Sequence, residues 1–252
     1  MTITYEINPP KVIQDTVLSH KELQDSVNRL KERVFAIRNV CNSIHVTDSV
    51  LGIPRISPIT IGALIRNSND AIELSASVRV RDRNLTSLTQ SICDAILLGL
   101  NGVLILKGDP PPAGPKDSKL VPSEVVKQFN EQGFGKKIDL FLSLPSNPDF
   151  SKIHKKIEAE PRGFVTQVVN SLDQITRIVE KLKPQGFRII PCIMLPTEKN
   201  TKSARMLNLD WSNYCDDTVS FIKNAHEISG DVLISSPNDF KGALETLKKL
   251  SS

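Results

Sequence analysis

The residues GFVTQVVNSLDQITRIVEKLKPQGFRIIPCI, at positions 163–193, predict a β-strand, an α-helix and a second β-strand. The two ends, 163–167 and 187–193, are rich in β-branched, aromatic and other apolar residues. Between them one apolar helix stripe recurs, formed by Leu172, Ile175, Ile178, Val179 and Leu182. Pro184 and Gly186 end this helix before the next strand begins. The stretch therefore predicts a βαβ unit, the building block of a parallel sheet.

The same alternation continues on both sides of this unit. Eight runs are predicted to be strands, at 3–7, 43–47, 72–80, 102–107, 138–143, 163–167, 187–193 and 231–235. The run 72–80 alternates apolar with polar residues, which is the weakest match to a strand buried on both faces. Eight strands followed by helices close into a barrel, whereas an open sheet usually has fewer strands and a Gly-rich first turn. The sequence predicts an α/β fold, a single (β/α)8 TIM barrel formed by one domain, 1–252.

Composition and charge argue against several classes of function. Hydrophobic residues make up 39% of the chain and charged residues 24%, as in ordinary globular proteins. The net charge of +4 is spread along the chain, so nucleic acid is not a predicted partner. The four cysteines lie far apart without zinc-site spacing, which predicts no metal site. Neither a leader nor an apolar run long enough for a membrane helix is present, and the prediction is a cytoplasmic protein without membrane contact.

The predicted strand ends are polar, and in a barrel these ends carry the active site. They hold Glu6, Thr47, Asp48, Arg79, Arg81, Asp82, Lys107, Asp109, Ser143, Thr166, Gln167, Ser235 and Ser236. Glu6 and Asp109 come from different strands, which suits a protonated acid working beside an ionised carboxylate. Glu6 is the stronger candidate because TYEINPP sets it among apolar residues. The alternative is that either carboxylate caps a helix or pairs with Lys107 or Arg79.

Three further features leave two interpretations each. The proline-rich loop GDPPPAGP, at 108–115, either holds Asp109 beside a glycine that a ligand can approach, or is a rigid surface turn. Gln167 either pairs with the amide edge of a heterocycle such as a pterin, or is satisfied by backbone. A basic cluster is either a solvated helix face or an anion-binding rim; its members are Lys152, His154, Lys155 and Lys156.

Motifs at these same positions resemble the methylenetetrahydrofolate reductase family, in family order across most of the chain. They are YEINPPK at 5–11, HVTD at 45–48, VRDRN at 80–84, LGLNGVLILKGDPPP at 98–112, VTQ at 165–167 and IIPCIMLP at 189–196. The resemblance implies an oxidoreductase that reduces the methylene group of a tetrahydropterin, such as folate, to a methyl group. It also implies FAD, which passes hydride from NADH or NADPH. Such an enzyme belongs to one-carbon metabolism and methionine biosynthesis.

The resemblance implies roles for individual residues. Glu6 matches the general acid that protonates the bridging nitrogen, so that the five-membered ring opens to an iminium. Asp109 matches a catalytic carboxylate between flavin and pterin, and Gln167 matches the amide that holds the pterin. The positions that match contacts to the flavin or its adenosine and phosphate portion are Thr47, Lys107, Gly108, Asp109, Asp149 and Lys156.

Several positions depart from the family pattern. Asn8 replaces an aromatic residue, Ser77 stands near the position of a histidine, and Thr201 stands at that of a substrate-stacking Phe. LSLPSNP, at 142–148, lacks the family's Tyr and His, and aromatic residues make up only 5% of the chain. The alternative function is therefore a flavin-independent pterin reductase that uses nicotinamide directly, or a methyl-transfer component with a partner subunit. Assembly into a homo-oligomer stays open, and a non-catalytic barrel is disfavoured by the polar strand ends.

Overall fold

The computed structural model describes residues 1–13, 16–68, 72–114 and 117–251. Its strands are β1 (Ile3–Ile7), β2 (Ser43–Val46), β3 (Glu73–Arg79), β4 (Gly102–Leu106), β5 (Asp139–Leu144), β6 (Gly163–Val168), β7 (Arg188–Met194) and β8 (Val232–Ser235). All neighbouring strands pair in parallel in chain order, and β8 pairs with β1 to close the sheet. The predicted TIM barrel is confirmed.

Helices surround the barrel on its outside. They are α1 (His20–Ile37), α2 (Pro58–Arg66), α3 (Leu85–Leu97), α4 (Pro122–Glu131), α5 (His154–Ile157), α6 (Leu172–Leu182), α7 (Thr201–Met206), α8 (Thr218–Ser229) and α9 (Phe240–Ser251). In α6 the predicted stripe is confirmed, since Ile175, Ile178 and Leu182 are buried. The side chain of Ser171 caps this helix by accepting a hydrogen bond from the Gln174 N–H. Within the described ranges, no helix combines the length and apolar character needed to cross a bilayer.

One local feature of β6 was not predicted. Its register against β7 shifts between Val165 and Val168, which indicates a bulge at Thr166 and Gln167. The Thr166 hydroxyl accepts a hydrogen bond from the Cys192 N–H at 3.0 Å. The bulge lies at the carboxyl end of the strand, and bulges at such positions redirect the side chains that follow.

The inside of the barrel is apolar on one side and polar on the other. The apolar side is one buried cluster of Leu104, Phe141, Val165, Cys192 and Leu233. The polar side comes from β1, β2 and β3, where the Thr4 and Ser43 hydroxyls share a hydrogen bond.

The polar side explains why the run 72–80 alternates. The buried ring of His45 bonds through Nδ1 to Ser75 Oγ and through Nε2 to Ser77 Oγ, both at 2.8 Å. Burial lowers the pKa of His45 to about 4, so the imidazole is neutral at physiological pH. Ser75 and Ser77 therefore face a polar interior, while Leu74, Ala76 and Val78 face the helices.

Candidate active site

Glu6 lies near the carboxyl end of β1, and its side chain faces the inside of the barrel. In the register between β1 and β2 it pairs with His45, whose side chain points into the barrel. The Ser235 hydroxyl, at the end of β8, donates a 2.7 Å hydrogen bond to Glu6 Oε1. Burial raises the pKa of Glu6, and the bond from Ser235 partly opposes that shift. The carboxyl group therefore keeps its proton to a higher pH than an exposed one, as a general acid requires.

The neighbours of Glu6 are small and uncharged. In a TIM barrel the inward side chains of alternate strands share a layer, and the register places Glu6 in one layer with Ser77, Ser143 and Cys192. Burial, with the nearby Glu6 charge as a smaller cause, raises the pKa of the Cys192 thiol well above its usual value. The Cys192 thiol is therefore uncharged. Glu6 is the acidic residue of this layer.

Arg79 ties three loops together at the mouth. Its side chain is 1% exposed, and Nη1 donates to the Ser49 carbonyl at 2.7 Å. Nη2 donates to Asp82 Oδ2 at 2.7 Å and to the Asp109 carbonyl at 2.8 Å. The acceptors follow β2, β3 and β4 respectively, so one buried cation fixes the loops of three strands. We refer to Arg79 with Ser49, Asp82 and Asp109 as the arginine clamp.

Asp109 and Lys107 do not pair with each other. The exposed Asp109 carboxylate accepts a 2.9 Å hydrogen bond from the Leu51 N–H through Oδ2. Lys107 Nζ instead donates to Asp117 Oδ1 at 2.6 Å and to the Leu120 carbonyl at 3.3 Å. The sequence offered Lys107 or Arg79 as partners for the Asp109 carboxylate, but Arg79 bonds to the Asp109 backbone carbonyl. The carboxylate holds the loop after β2.

The loops after β2 and β4 pack directly on each other. A Cβ built on Gly52 would lie 2.1 Å from the Pro110 carbonyl oxygen, so only glycine fits there. Gly108 has φ of +80°, and a Cβ on it would lie 2.8 Å from side-chain atoms of Arg79. The group that approaches Gly108 closely is thus Arg79. Pro115, the last residue of the proline-rich loop, lies outside the described residues.

Thr47 and Gln167 differ in their availability to a ligand. Thr47 is buried, and its hydroxyl donates to Asn8 Oδ1 at 2.6 Å. Gln167 is exposed beside the β6 bulge, and its side-chain amide makes no hydrogen bond to the described part of the chain. The interpretation of Gln167 as an amide satisfied by backbone is therefore not supported by these contacts.

Asp149 stabilises the loop after β5. Its carboxylate accepts hydrogen bonds from the N–H and the hydroxyl of Ser151 and pairs with Lys152 Nζ at 3.0 Å. The Ser151 hydroxyl, followed by Lys152, lowers the pKa of Asp149. This exposed carboxylate is ionised and caps a short turn at Phe150–Lys152.

The basic cluster does not point in one direction. Lys155 is exposed and lies 3.9 Å from Glu124, whereas the partly buried Lys156 donates a hydrogen bond to the Ser143 carbonyl at the end of β5. Burial lowers the pKa of Lys156. The exposed members therefore form a solvated face, whereas Lys156 turns toward the strand ends, and its binding of an anion stays a prediction.

The three central candidates lie at the same end of the barrel, after β1, β4 and β6. Glu6 faces the interior, Asp109 is held against the loop after β2, and Gln167 is exposed. The sequence reasoning missed the clamp formed by Arg79 and the partnership of Ser235 with Glu6. Arg79 and Ser235 were both among the polar residues predicted at strand ends. The signal available for Ser235 was that β8 pairs with β1 when the barrel closes.

Comparisons with known proteins agree with the barrel. The closed barrel and the buried carboxyl group in its mouth define the class, a (β/α)8 barrel with a candidate acid–base site. Within this class the chain belongs to the methylenetetrahydrofolate reductase family, because that family's model matches residues 1–228 of 252. A search of curated proteins found no match.

Solved structures similar to this chain include proteins of unrelated activity. A GH18 chitinase, ChiB of Flavobacterium johnsoniae, aligns with TM-score 0.59 and 13% identity over 99% of this chain and 93% of that one. A deoxyribose phosphate aldolase of Aeropyrum pernix aligns with TM-score 0.58 and 10% identity over 98% and 90%. At such identities the likeness shows the barrel fold alone.

Proposed function

We propose that this chain reduces the methylene group of a tetrahydropterin one-carbon carrier to a methyl group, with NADH or NADPH as the source of hydride. The observation that carries the proposal is the Glu6 carboxyl group, which lies in the mouth of a barrel of this family with a raised pKa. Residues 1–252 would act as one catalytic domain. The carrier is folate or a related tetrahydropterin.

In the proposed mechanism Glu6 acts first. Its proton passes to the bridging nitrogen of the substrate's five-membered ring, the bond from that nitrogen to the methylene carbon breaks, and an iminium forms. Hydride then adds to the iminium carbon and gives the methyl group. Ser235 orients Glu6 throughout, since its hydroxyl donates to Oε1. The free amide of Gln167 pairs with the amide edge of the pterin.

In this proposal Asp109, besides holding the loop after β2, takes part in catalysis. Its Oδ2 is held by the Leu51 N–H, which fixes the carboxylate at the rim of the mouth. A fixed negative charge stabilises the cationic iminium, because electrostatic stabilisation is strongest where the charged group needs no reorganisation. Asp109 is therefore proposed as a catalytic and substrate-binding residue alongside Glu6.

FAD, which the family resemblance implies, would accept hydride from the nicotinamide and pass it to the substrate. The residues matched to it do not fit this role as they are placed. Thr47 donates to Asn8, Lys107 pairs with Asp117, and Lys156 donates to the Ser143 carbonyl. Neither Asn8 nor Ser77 provides a ring for stacking. No step of the mechanism is therefore assigned to a flavin.

A direct assay tests the proposed function. Purified protein is incubated with methylene-tetrahydrofolate, or another methylene-tetrahydropterin, and with NADH or NADPH, and the product is followed by proton NMR. We expect a new N-methyl signal that grows in proportion to the protein concentration. No methyl product with any combination of carrier and nicotinamide would refute the proposal.

The rate should depend on pH through Glu6. The acid must be protonated to act, so kcat is expected to be constant below the raised pKa of Glu6 and to fall about tenfold per pH unit above it. The bond from Ser235 stabilises the carboxylate and lowers this pKa. The Ser235→Ala variant should therefore lose activity at a higher pH than the wild-type protein. An alkaline limb that does not move in this variant would contradict the role of Glu6 as the acid.

A further inference from the structure

The ends of β2, β3 and β4 are covered by the Arg79 side chain and the loops that it holds. Arg79 lies there, 1% exposed, with its guanidinium held by two backbone carbonyls and the Asp82 carboxylate. A flat ring system that took the place of the Arg79 side chain would have to displace this cation. Displacement would leave the cation and its acceptors without partners, which is strongly unfavourable in a buried position.

The loops on either side of the clamp leave no gap at their contacts. The Gly52 backbone touches the Pro110 carbonyl so closely that a single methyl group would not fit, and Gly108 packs against Arg79 in the same way. The loop after β2 is further fixed to the loop after β4 by the bond from the Leu51 N–H to Asp109. These contacts include Gly108 and Asp109, two of the six positions that the family resemblance assigns to a flavin.

The other half of the mouth, above β5 to β8, offers free polar groups. Gln167 is exposed at the β6 bulge, and the partly buried Ser143 hydroxyl makes no hydrogen bond to the described residues. Glu6, held by Ser235 of β8, is a half-buried residue. Both reactants can therefore approach Glu6 from this half of the mouth, which borders on β4 and the exposed Asp109 carboxylate that follows it.

We propose that hydride passes directly from the nicotinamide to the one-carbon unit in this protein, without a flavin, because four side chains matched to the flavin are engaged in hydrogen bonds within the chain. The inference rests on the proposed function. The C4–H bond of the dihydronicotinamide breaks with its electron pair, and a C–H bond forms at the iminium carbon. The nicotinamide is oxidised, the iminium is reduced to the methyl group, and the proton from Glu6 remains on the nitrogen released by ring opening.

Isotope transfer distinguishes the two routes. NADH or NADPH carrying deuterium at one face of C4 is supplied in ordinary water, each face in turn, and the methyl product is examined by NMR. We expect one of the two labelled forms to give a methyl group with one deuterium, with nearly complete retention. A flavin would hold the hydride at a nitrogen that exchanges with water, so unlabelled methyl product from both forms would overturn the inference.

Flavin binding is measured separately, so that its outcome does not depend on turnover. FAD fluorescence is titrated with the purified protein, and NADH or NADPH fluorescence is titrated in parallel as the control for a competent site. We expect the nicotinamide signal to change and the FAD signal to stay that of free FAD. Saturable, stoichiometric FAD binding would overturn direct transfer, whereas absence of product together with absence of FAD binding would refute the proposed function alone.

Discussion

Replacing Glu6 by Gln is expected to lower kcat by about 10²- to 10⁴-fold, the usual range for loss of a general acid. Glutamine has the same shape, and its carbonyl oxygen can still accept the hydrogen bond that Ser235 donates to Oε1. It cannot release a proton to the bridging nitrogen, so the ring does not open. The dissociation constant of methyl-tetrahydrofolate should stay within a few-fold of the wild-type value, since the mouth keeps its shape and loses no contact.

The measurement compares kcat from the NMR assay with ligand affinity from isothermal titration calorimetry. Glu73→Gln is the matched control, because Glu73 is an exposed glutamate at the first residue of β3, at the opposite end of the barrel. This variant should retain wild-type kcat. Unchanged turnover in Glu6→Gln, or equal losses in both variants, would refute the assignment of Glu6 as the acid.

The barrel itself could be predicted from the sequence because each unit carries its own signal. The run 3–7 coincides with β1, and the stripe predicted between 172 and 182 is the buried face of α6. Closure of the sheet is not visible in any single unit, and it followed from counting eight of them. The bulge in β6 could not be predicted, since it arises from the pairing of β6 with β7.

The candidate site was predicted less completely than the fold. Placing Glu6 at a strand end depended on the local motif around it, which the sequence contains. The partner of the Asp109 carboxylate is the N–H of Leu51, which is 58 residues away in the sequence. Contacts of this kind depend on how loops from neighbouring strands meet, so residue spacing cannot indicate them. The same reason explains why Arg79, one of the alternative partners named for the Asp109 carboxylate, bonds instead to the Asp109 backbone carbonyl.

Arg79→Ala should lower the free energy of unfolding by about 3–5 kcal/mol, the cost typical of removing one partner from a buried ionic group. The substitution leaves the Ser49 and Asp109 carbonyls without their donors and removes the partner of Asp82. It also leaves a cavity beneath Gly108, which packs against the arginine side chain. The loss is measured by urea denaturation followed by circular dichroism.

Two further variants separate the clamp from a general effect of removing arginine. Arg29→Ala removes an exposed arginine on α1 whose guanidinium bonds to Ser26, and the change in stability should stay within about 0.5 kcal/mol. Arg79→Lys keeps the charge, but a single ammonium group cannot reproduce the planar arrangement of donors to three loops, so an intermediate loss is expected. If Arg79→Ala is no less stable than Arg29→Ala, the guanidinium does not hold the loops together.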